Sequence, residues 1–528
     1  MKKKLLNTST CLFLLFFSFQ ALAESPQVVS WNNELNSLDI QYQRLKSQPG
    51  GITPAQERHI LNRKGDIVGQ AGFTSFKDFS TFQGTRVQFV QSETPTFLVR
   101  RGYGEENLSK YGMGRWFGDT YNSVNGTRNN LAVLDTWGNP LESIYVIKVP
   151  ANQVLLGGIA AAQISSDGKE YRPGGGLQYW FQNNGLQTNE WLLYAVYGPD
   201  HLKSYATNVT TAQQLGRSVM YDTQLRLEDI RSAHLFTSGV QEENDSTEHV
   251  DTYTVWSRAY GLNVSGFDAN DETYYQTHGT GVGLDKEFKI KNGVLSVGGV
   301  TGYAEINKTV DTSERNFTGY SDINNIVRNI QGAAYLLYQQ NYKGYGKPHF
   351  YADATVMGGL LKFINEVPGY SGLGYRQDYD GGNFLTSLEV GFTLPLNQGV
   401  VIEPEITFDY NKIMHEDFQD KILAPVTLES GISLRTGAGV KIKKNFLEVK
   451  QVELSTVLIA RYEREFSGDN EIWVMDESAS DNQKGDFFTL GGGAKINIVK
   501  RLFLRAEILR LLGNEEGYRG YCTLNFLF

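Results

Sequence analysis

The chain has 528 residues and a formal net charge of -9, so it is too long for one ordinary domain, and its acidity argues against a role in binding nucleic acid. Aromatic residues make up 12% of it and 56 glycines stand against 13 prolines, which is typical of a β-rich protein with many turns. Cys11 lies in a segment that we expect to be removed, which leaves Cys522 alone; the mature chain therefore has no internal disulfide and no cysteine zinc site.

Residues 1–23 predict a secretory signal peptide. Lys2–Lys4 supply the positive charge, residues 11–19 form the apolar centre, and residues 21–23 (ALA) supply the small side chains for cleavage. The apolar centre is shorter than the roughly 20 residues that cross a bilayer, and no other segment approaches that length. We therefore expect export without a transmembrane helix.

Residues 24–210 predict a region of mixed secondary structure. Its first part, to about residue 90, holds polar helical pieces such as Ala55–Arg63 and no recognisable chemistry. Strand-like runs follow at Thr96–Arg100, Ile144–Val149 and Leu177–Phe181. Residues 211–247 then predict a linker, in which Thr211–His234 is helical and an acidic loop follows.

From residue 248 to residue 528 the side chains alternate between apolar and polar with a period of two. In one run, the apolar face holds Val400, Ile402, Pro404, Ile406, Phe408 and Tyr410, and the polar face holds Glu403, Glu405, Thr407 and Asp409. Residues 451–463 and 502–508 repeat the pattern. About a dozen such runs indicate an antiparallel transmembrane β-barrel with apolar side chains outward. The alternative is a soluble β-sandwich or barrel with its charges outside, which the secretory signal disfavours.

The opening strands of this region resemble those of autotransporter translocator domains with a pertactin-like barrel. The resemblance is carried by Val255–Gly261 (VWSRAYG), Gly281–Asp285 (GVGLD) and Gly298–Tyr303. The last eight residues, 521–528 (YCTLNFLF), resemble the C-terminal signal for assembly of outer-membrane barrels. The resemblance implies an all-β barrel of about twelve antiparallel strands in a Gram-negative outer membrane, with the predicted helix inside its pore. It implies outer-membrane lipid, the barrel-assembly machinery and periplasmic chaperones as partners. It also implies that residues 24–210 are an exported passenger, displayed at the cell surface or secreted.

Within the passenger, a glycine-rich turn precedes a short aromatic strand that carries one amide. The turn is Pro173–Gly176, and the strand begins Leu177-Gln178-Tyr179. Three consecutive glycines let a backbone bend sharply and approach a ligand, although a turn before a core strand is the simpler interpretation.

The order of the passenger motifs resembles ADP-ribosyltransferase-like toxin domains. Over about residues 95–200 it is nearest the NAD-glycohydrolase branch typified by the tuberculosis necrotizing toxin. The motifs are a strand ending in Arg100-Arg101, an aromatic glycine block at 111–118, the strand Ile144–Val149, and the glycine-rich turn with its strand. The resemblance implies an α+β passenger with a split β-sheet core, and NAD as its substrate rather than a bound cofactor.

The resemblance also assigns roles to individual residues. Gln178 stabilises the oxocarbenium-like state of the ribose. Either Arg100 or Arg101 is the family arginine that holds the phosphates or a ribose hydroxyl; we favour Arg100. An amide at residue 178, where transferases usually carry a glutamate, favours hydrolysis over transfer. The further predicted NAD contacts are Arg115, Trp116, Phe117, Gly175, Gly176 and Tyr179.

Three alternatives to NAD hydrolysis remain open. Glu190 is the catalytic glutamate if the passenger is a mono-ADP-ribosyltransferase of a host protein, or else a solvated carboxylate. In the second alternative, the passenger is not an enzyme but an adhesin or binding module. Residues 117–123 resemble the nucleophile block of GDSL-type esterases, but Thr120 stands where serine is needed. His201, His234 and His249 have no metal-ligand spacing, so we predict no metal site and place them on the surface or linker.

Overall fold

The structure is a computed structural model that describes most of the chain. The described residues are 25–104, 114–181, 190–236, 253–268, 271–310, 322–340, 347–396, 399–429, 431–449, 452–498 and 502–527. The predicted signal peptide and the predicted loop after the linker helix lie outside them. Within these ranges, no helix combines the length and the apolar character needed to cross a membrane.

The chain divides into two compact units, residues 1–198 with 422–424 and residues 199–421 with 425–528. The first unit contains three α-helices and nine strands among its described residues. The helices are α1 (Pro26–Lys46), α2 (Pro54–Gln70) and α3 (Val124–Asn130). The strands are β1 (Gln88–Gln91), β2 (Thr96–Gly102), β3 (Trp116–Phe117), β4 (Ser143–Val149), β5 (Val154–Ile159), β6 (Gln163–Ile164), β7 (Tyr171–Arg172), β8 (Leu177–Trp180) and β9 (Leu192–Tyr197).

The strands of the first unit form two antiparallel sheets and a short hairpin. One sheet has the order β1-β5-β8-β3, the other has the order β2-β4-β9, and β6 pairs with β7. The predicted strands at 96–100, 144–149 and 177–181 are therefore present, within a residue or two at their ends. A bridge between Val99 and Gly118 connects the edge of one sheet to the end of β3 in the other.

Residues 26–90 form part of the passenger core rather than an appendage to it. Helix α2 begins with a capping box, in which Thr53 and Gln56 exchange side-chain and backbone hydrogen bonds. The buried faces of α1 and α2 join an aromatic cluster against β8, and β1 completes the sheet beside β5. The cluster contains Val28, Leu35, Ile67, Val68, Phe73, Phe76, Phe79, Phe82, Val87, Phe89, Leu156 and Trp180. The core thus extends well beyond the predicted residues 95–200.

The second unit contains a long helix and a closed barrel of twelve strands, which confirms the predicted barrel and the helix before it. The barrel strands, in order around the wall, are β10 (Tyr253–Asp268), β11 (Asp271–Ile290), β12 (Gly293–Val310), β13 (Ile323–Gln340), β14 (His349–Val367), β15 (Tyr375–Pro395), β16 (Val400–His415), β19 (Ile432–Val449), β20 (Val452–Glu465), β23 (Gly485–Ile498), β24 (Leu502–Gly513) and β25 (Glu515–Leu527). Strand β25 pairs with β10 and closes the barrel.

The predicted alternation of side chains is confirmed on the barrel wall. On β16, Ile406 is 65% exposed and Phe408 is 40% exposed, whereas Glu403 and Glu405 are 0% and 4% exposed. Apolar side chains point outward and charged ones point into the barrel, as a wall surrounded by lipid requires.

Helix α4 (Gly198–Phe236) begins at Gly198 rather than at the predicted Thr211. Polar and charged side chains cover much of its length, and they are buried against the inner wall of the barrel. A small sheet from the strand connections adds to this unit, in the order β17 (Phe418–Gln419), β18 (Pro425–Leu428), β21 (Asp469–Val474) and β22 (Glu477–Asn482).

Candidate functional site

Strand β8 holds the predicted catalytic amide in the middle of its sheet. Gln178 pairs with Gly158 of β5, and its side chain is 6% exposed. The Gln178 Nε2 donates to the carbonyl oxygen of Thr81 at 3.2 Å, and the same oxygen accepts from the Ala161 amide at 2.9 Å. The amide is therefore buried and hydrogen-bonded to the segment that contains Thr81.

The glycine-rich turn packs against the end of helix α3. The backbone amide of Gly176 donates to Asn130 O at 2.7 Å, and that of Gly174 donates to Asn129 O at 2.9 Å. Gly174 has a φ of 69°, and a Cβ there would lie 2.4 Å from Ala160 O, so only glycine fits. Gly175 has a φ of 99° and open space above it, which leaves room for a ligand beside the turn.

The two adjacent arginines of β2 have different surroundings. Arg101 is buried: its Nε donates to Asn122 O at 2.7 Å, its Nη1 to Leu141 O at 3.2 Å, and its Nη2 to the Tyr121 hydroxyl. Its guanidinium thus links strand β2 to the chain segments around residues 122 and 141. We conclude that Arg101 has a structural role, which disfavours its predicted contact with NAD.

Arg100 has fewer hydrogen bonds than its neighbour. Its Nη1 donates to Trp116 O at 3.1 Å, and no acceptor among the described residues lies within reach of its Nε. Burial lowers the pKa of Arg100 to about 10, because the charged guanidinium loses its hydration. A buried cation with an unused donor is suited to binding an anion, which agrees with our preference for Arg100.

The predicted aromatic contacts are mostly part of the core. Phe117 and Tyr179 pair across β3 and β8 and are 0% and 2% exposed, so their ring faces are not available to stack on a ligand. Trp116 is half-buried and packs 5.5 Å from the Phe82 ring. The predicted stacking roles of Phe117 and Tyr179 are therefore not supported, because the rings of these two paired strands are buried in the core.

The remaining predicted residues lie nearer the surface. Arg115 lies over the Trp180 ring, 5.6 Å from its centroid, and Glu190 is exposed just before β9. Among the described residues, no group of three or more His, Cys, Asp or Glu side chains could hold a metal ion. Of the three histidines predicted on the surface or linker, His201 lies on helix α4 but is 0% exposed, and its Nε2 lies 2.5 Å from Asp420 Oδ2. His249 and the side chain of His234 lie outside the described part of the chain.

Asp119 is a candidate site residue that the sequence motifs did not indicate. It lies two residues after the end of β3, and burial raises the pKa of its carboxyl above the ordinary value. Its charge in turn raises the pKa of Tyr179, after the larger effect of burial. A carboxylate with a raised pKa that interacts with Tyr179, the residue after the predicted amide, is a candidate acid or base, and the sequence showed it only within the esterase-like block.

In the barrel, charged side chains of helix α4 are buried against the inner wall. Arg226 forms a two-pronged contact with Asp285 at 3.0 and 3.1 Å, and Arg231 contacts Asp353 at 2.8 Å and Glu389 at 3.1 Å. Planar guanidinium groups bind carboxylates well in this geometry. These contacts tie the last turns of the helix to strands β11, β14 and β15.

Two carboxylates of the same turns contact further strands. Glu228 lies 3.1 Å from Lys443 and 3.3 Å from Arg505, and it also contacts Lys441. Asp229 lies 2.8 Å from Arg258 and 2.6 Å from Lys495. The helix therefore carries both signs of charge, and each sign meets its opposite on the wall.

The first half of helix α4 is held mainly by neutral polar groups. Gln213 and Asn470 exchange side-chain hydrogen bonds of 2.9 and 2.8 Å, which links the helix to β21 of the small sheet. Asn208 donates to the Tyr379 hydroxyl at 3.1 Å, and Tyr205 donates to Asp420 at 3.2 Å. The helix thus makes specific polar contacts with the barrel unit along its length.

The comparisons with known proteins concern the barrel. Residues 255–508 match the family described as Autotransporter beta-domain. The fold is similar to the beta domain of the Bordetella autotransporter BrkA, at 16% identity and a TM-score of 0.42, covering 53% of this chain and 100% of that one. It is also similar to the transport unit of AIDA-I from Escherichia coli, at 15% identity and a TM-score of 0.43, covering 61% and 97%.

A third similar structure is the translocator domain of NalP from Neisseria meningitidis, at 14% identity and a TM-score of 0.36, covering 58% of this chain and 98% of that one. No curated protein matches the chain. The family match begins at residue 255, after the passenger and helix α4. The C-terminal half of this chain is an autotransporter β-domain, a translocator barrel of the outer membrane whose passenger is exported to the cell surface.

Proposed function

We propose that the exported passenger hydrolyses NAD to nicotinamide and ADP-ribose. The observation that carries the proposal is the arrangement of strands around β3. Val99 of the arginine strand bridges to Gly118 just after β3, and Phe117 of β3 pairs with Tyr179 of the glutamine strand. Arg100, Asp119 and Gln178 are thus each adjacent in sequence to a residue of this short ladder.

Each of the three side chains suits one part of the reaction. The reaction cleaves the bond between nicotinamide and ribose, and water adds to the ribose carbon and releases one proton. Arg100 supplies a positive charge for the pyrophosphate. Gln178 supplies a fixed amide beside the ribose, where positive charge develops. Asp119 supplies a carboxylate that accepts the proton of the attacking water.

The test uses the full mature chain, refolded in detergent and incubated with NAD while nicotinamide release is followed. We expect release by the wild type, and a loss of about 100-fold or more in Gln178→Ala, the usual scale for removing one polar group that stabilises the transition state. Gln153→Ala, an exposed glutamine of the same unit, serves as the matched control and should retain the wild-type rate. No release by the folded wild type would overturn the proposal.

Glu190→Ala separates hydrolysis from transfer. If Glu190→Ala is inactive while Gln178→Ala is active, the catalytic assignment is reversed. If labelled ADP-ribose appears on an added host protein, the passenger is a transferase.

A non-enzymatic binding passenger is the second candidate, and exposed apolar side chains favour it. Ile164 and Tyr171 face each other across the β6–β7 hairpin and are each 62% exposed, and Trp137 is 54% exposed. Exposed aromatic residues of this kind are common in protein-binding surfaces. Binding to host cells that is lost in Tyr171→Ser, in a chain that releases no nicotinamide, would establish this alternative.

A further inference from the structure

A cavity of about 90 Å³ lies inside the barrel beside helix α4. On the same measure, one water molecule needs roughly 10–15 Å³, so the cavity holds several waters or one larger ion. Its charged lining is unbalanced. Five cationic side chains line it against two carboxylates, Asp409 and Glu463; the cationic residues are Arg217, Arg435, Lys441, Arg461 and Arg519.

Four of the five cations have a carboxylate partner. Lys441 lies 2.9 Å from Glu405, which also contacts Arg461. Arg435 lies 3.4 Å from Glu465, and Arg519 lies 3.9 Å from Glu515 on its own strand. Both carboxylates also accept hydrogen bonds from hydroxyl groups.

Arg217, on helix α4, is the exception. Its Nη2 donates to Gln483 Oε1 at 3.0 Å, and no carboxylate within the described ranges approaches it to 4.0 Å. The nearby carboxylates have other hydrogen-bond partners. Glu515 accepts from the Tyr275 hydroxyl at 2.7 Å, and Glu465 accepts from the Ser433 hydroxyl at 2.7 Å. Removing a charge from water without a partner is costly, so this guanidinium needs a negative charge from elsewhere.

The hydrogen-bond donors of the lining show the same imbalance. Of the six arginine nitrogens that are buried without an acceptor in the described part of the chain, four belong to residues that line the cavity. They are Arg217 Nη1, Arg435 Nη2, Arg461 Nε and Arg519 Nε. Buried donors that lack a partner destabilise a fold, and these four outnumber the three lining oxygens that lack a donor, on Gln214, Asp409 and Asn411. The arginine donors therefore favour an acceptor inside the cavity.

We propose that this cavity binds one small inorganic oxyanion, phosphate or sulfate, between Arg217 of the helix and the arginines of the wall. The guanidinium group presents its donors in a planar fork that matches two oxygens of a tetrahedral oxyanion. The walls are inward-facing side chains of the barrel, so the ligand is the free ion rather than a lipid headgroup. Bound there, the anion connects helix α4 to β19, β20 and β25 and stabilises the helix in the lumen.

The test is a titration of the full mature chain, folded in detergent, with sodium phosphate at constant ionic strength maintained by sodium gluconate. We expect a saturable rise in the temperature at which the barrel unfolds, measured by heat-dependent gel mobility. Arg217→Gln should abolish the rise. Arg328→Gln, which removes an exposed arginine that contacts Glu305 at 2.7 Å on the outer wall, should leave it unchanged. Equal unfolding temperatures of the wild type in phosphate and gluconate, or an equal rise in Arg217→Gln, would mean that only water fills the cavity.

A second measurement decides the matter if Arg217→Gln does not fold. Wild-type crystals are grown with sodium selenate, whose selenium scatters anomalously. An anomalous peak among the four arginines supports the site. Its absence, at a selenate concentration that saturates the same thermal titration, overturns the proposal.

Discussion

The passenger and the barrel lumen bury opposite kinds of side chain. The centre of the passenger is aromatic: the rings of Phe76 and Trp180 lie 5.2 Å apart, and Phe82 lies 5.5 Å from Trp116. The centre of the barrel is charged, as in the Arg231 contacts with its two carboxylates. One chain therefore contains two kinds of buried interior, an apolar core in the passenger and an ionic one in the barrel.

The difference reflects what surrounds each unit. A domain in water gains free energy by burying apolar surface, so aromatic rings collect inside it. A barrel in lipid keeps its apolar residues outside, and its charges remain in the lumen, where they must find partners. Asp39 and Lys64 are an ion pair inside the passenger; burial raises the pKa of Asp39 and lowers that of Lys64, so loss of hydration opposes both charges there.

Removing one charge from the lumen should have the largest effect on stability. Arg231→Ala leaves Asp353 and Glu389 buried without this partner, and breaking such a pair costs about 3–5 kcal/mol. Urea titration of the barrel in detergent measures the loss. Arg328→Ala is the matched control, because its contact with Glu305 is partly exposed and should contribute less than about 1 kcal/mol. Equal losses in the two variants would contradict an ionic core.

Truncation of an aromatic ring tests the apolar core of the passenger. Phe82 is 1% exposed, so Phe82→Ala should lower the free energy of unfolding of the passenger by about 3 kcal/mol. Phe408→Ala removes the same ring from the outer face of the barrel, where lipid or detergent fills the space, and should lower barrel stability much less. Chemical denaturation, with passenger and barrel followed by separate probes, distinguishes the two; a larger loss for Phe408→Ala would contradict the comparison.

The smallest predicted effect is a local response to acid on the passenger surface. Glu170 accepts hydrogen bonds from the backbone amides of Asp135 at 2.7 Å and Thr136 at 3.3 Å, and Arg172 lies 2.9 Å away. These contacts, the Asp135 amide first, lower the pKa of the Glu170 carboxyl below its ordinary value. Its stabilisation is therefore fully present above the unfolded-state pKa of about 4.3 and is lost as pH falls through the lower folded-state pKa.

Hydrogen exchange at these two amides measures that response. After correction for intrinsic exchange rates, their protection should fall as the pH drops below about 4.3 in the wild type. In Glu170→Gln the protection should be weak and independent of pH over the same range. Protection that stays constant in the wild type would show that Glu170 does not hold this turn.

Much of the barrel was predictable because its signal is repeated. Each strand alternates side chains between lipid and lumen, so the face of Ile406 and that of Glu405 follow from their positions in the run. The passenger strands were also predictable from local pattern. The roles of Phe117 and Tyr179 were not, since an aromatic residue on a strand packs into a core or faces a ligand with the same local sequence.

Sequence alone determined the barrel and the helix before it, because both depend on periodicity along the chain. The division into passenger and translocator came from the resemblance to autotransporters. Only the tertiary structure decided which polar groups meet: that His201 is buried beside Asp420, that Arg101 is held by backbone carbonyls while Arg100 keeps an unused donor, and that residues 26–90 complete the passenger core. These pairings join segments that are distant in sequence, so no local pattern records them.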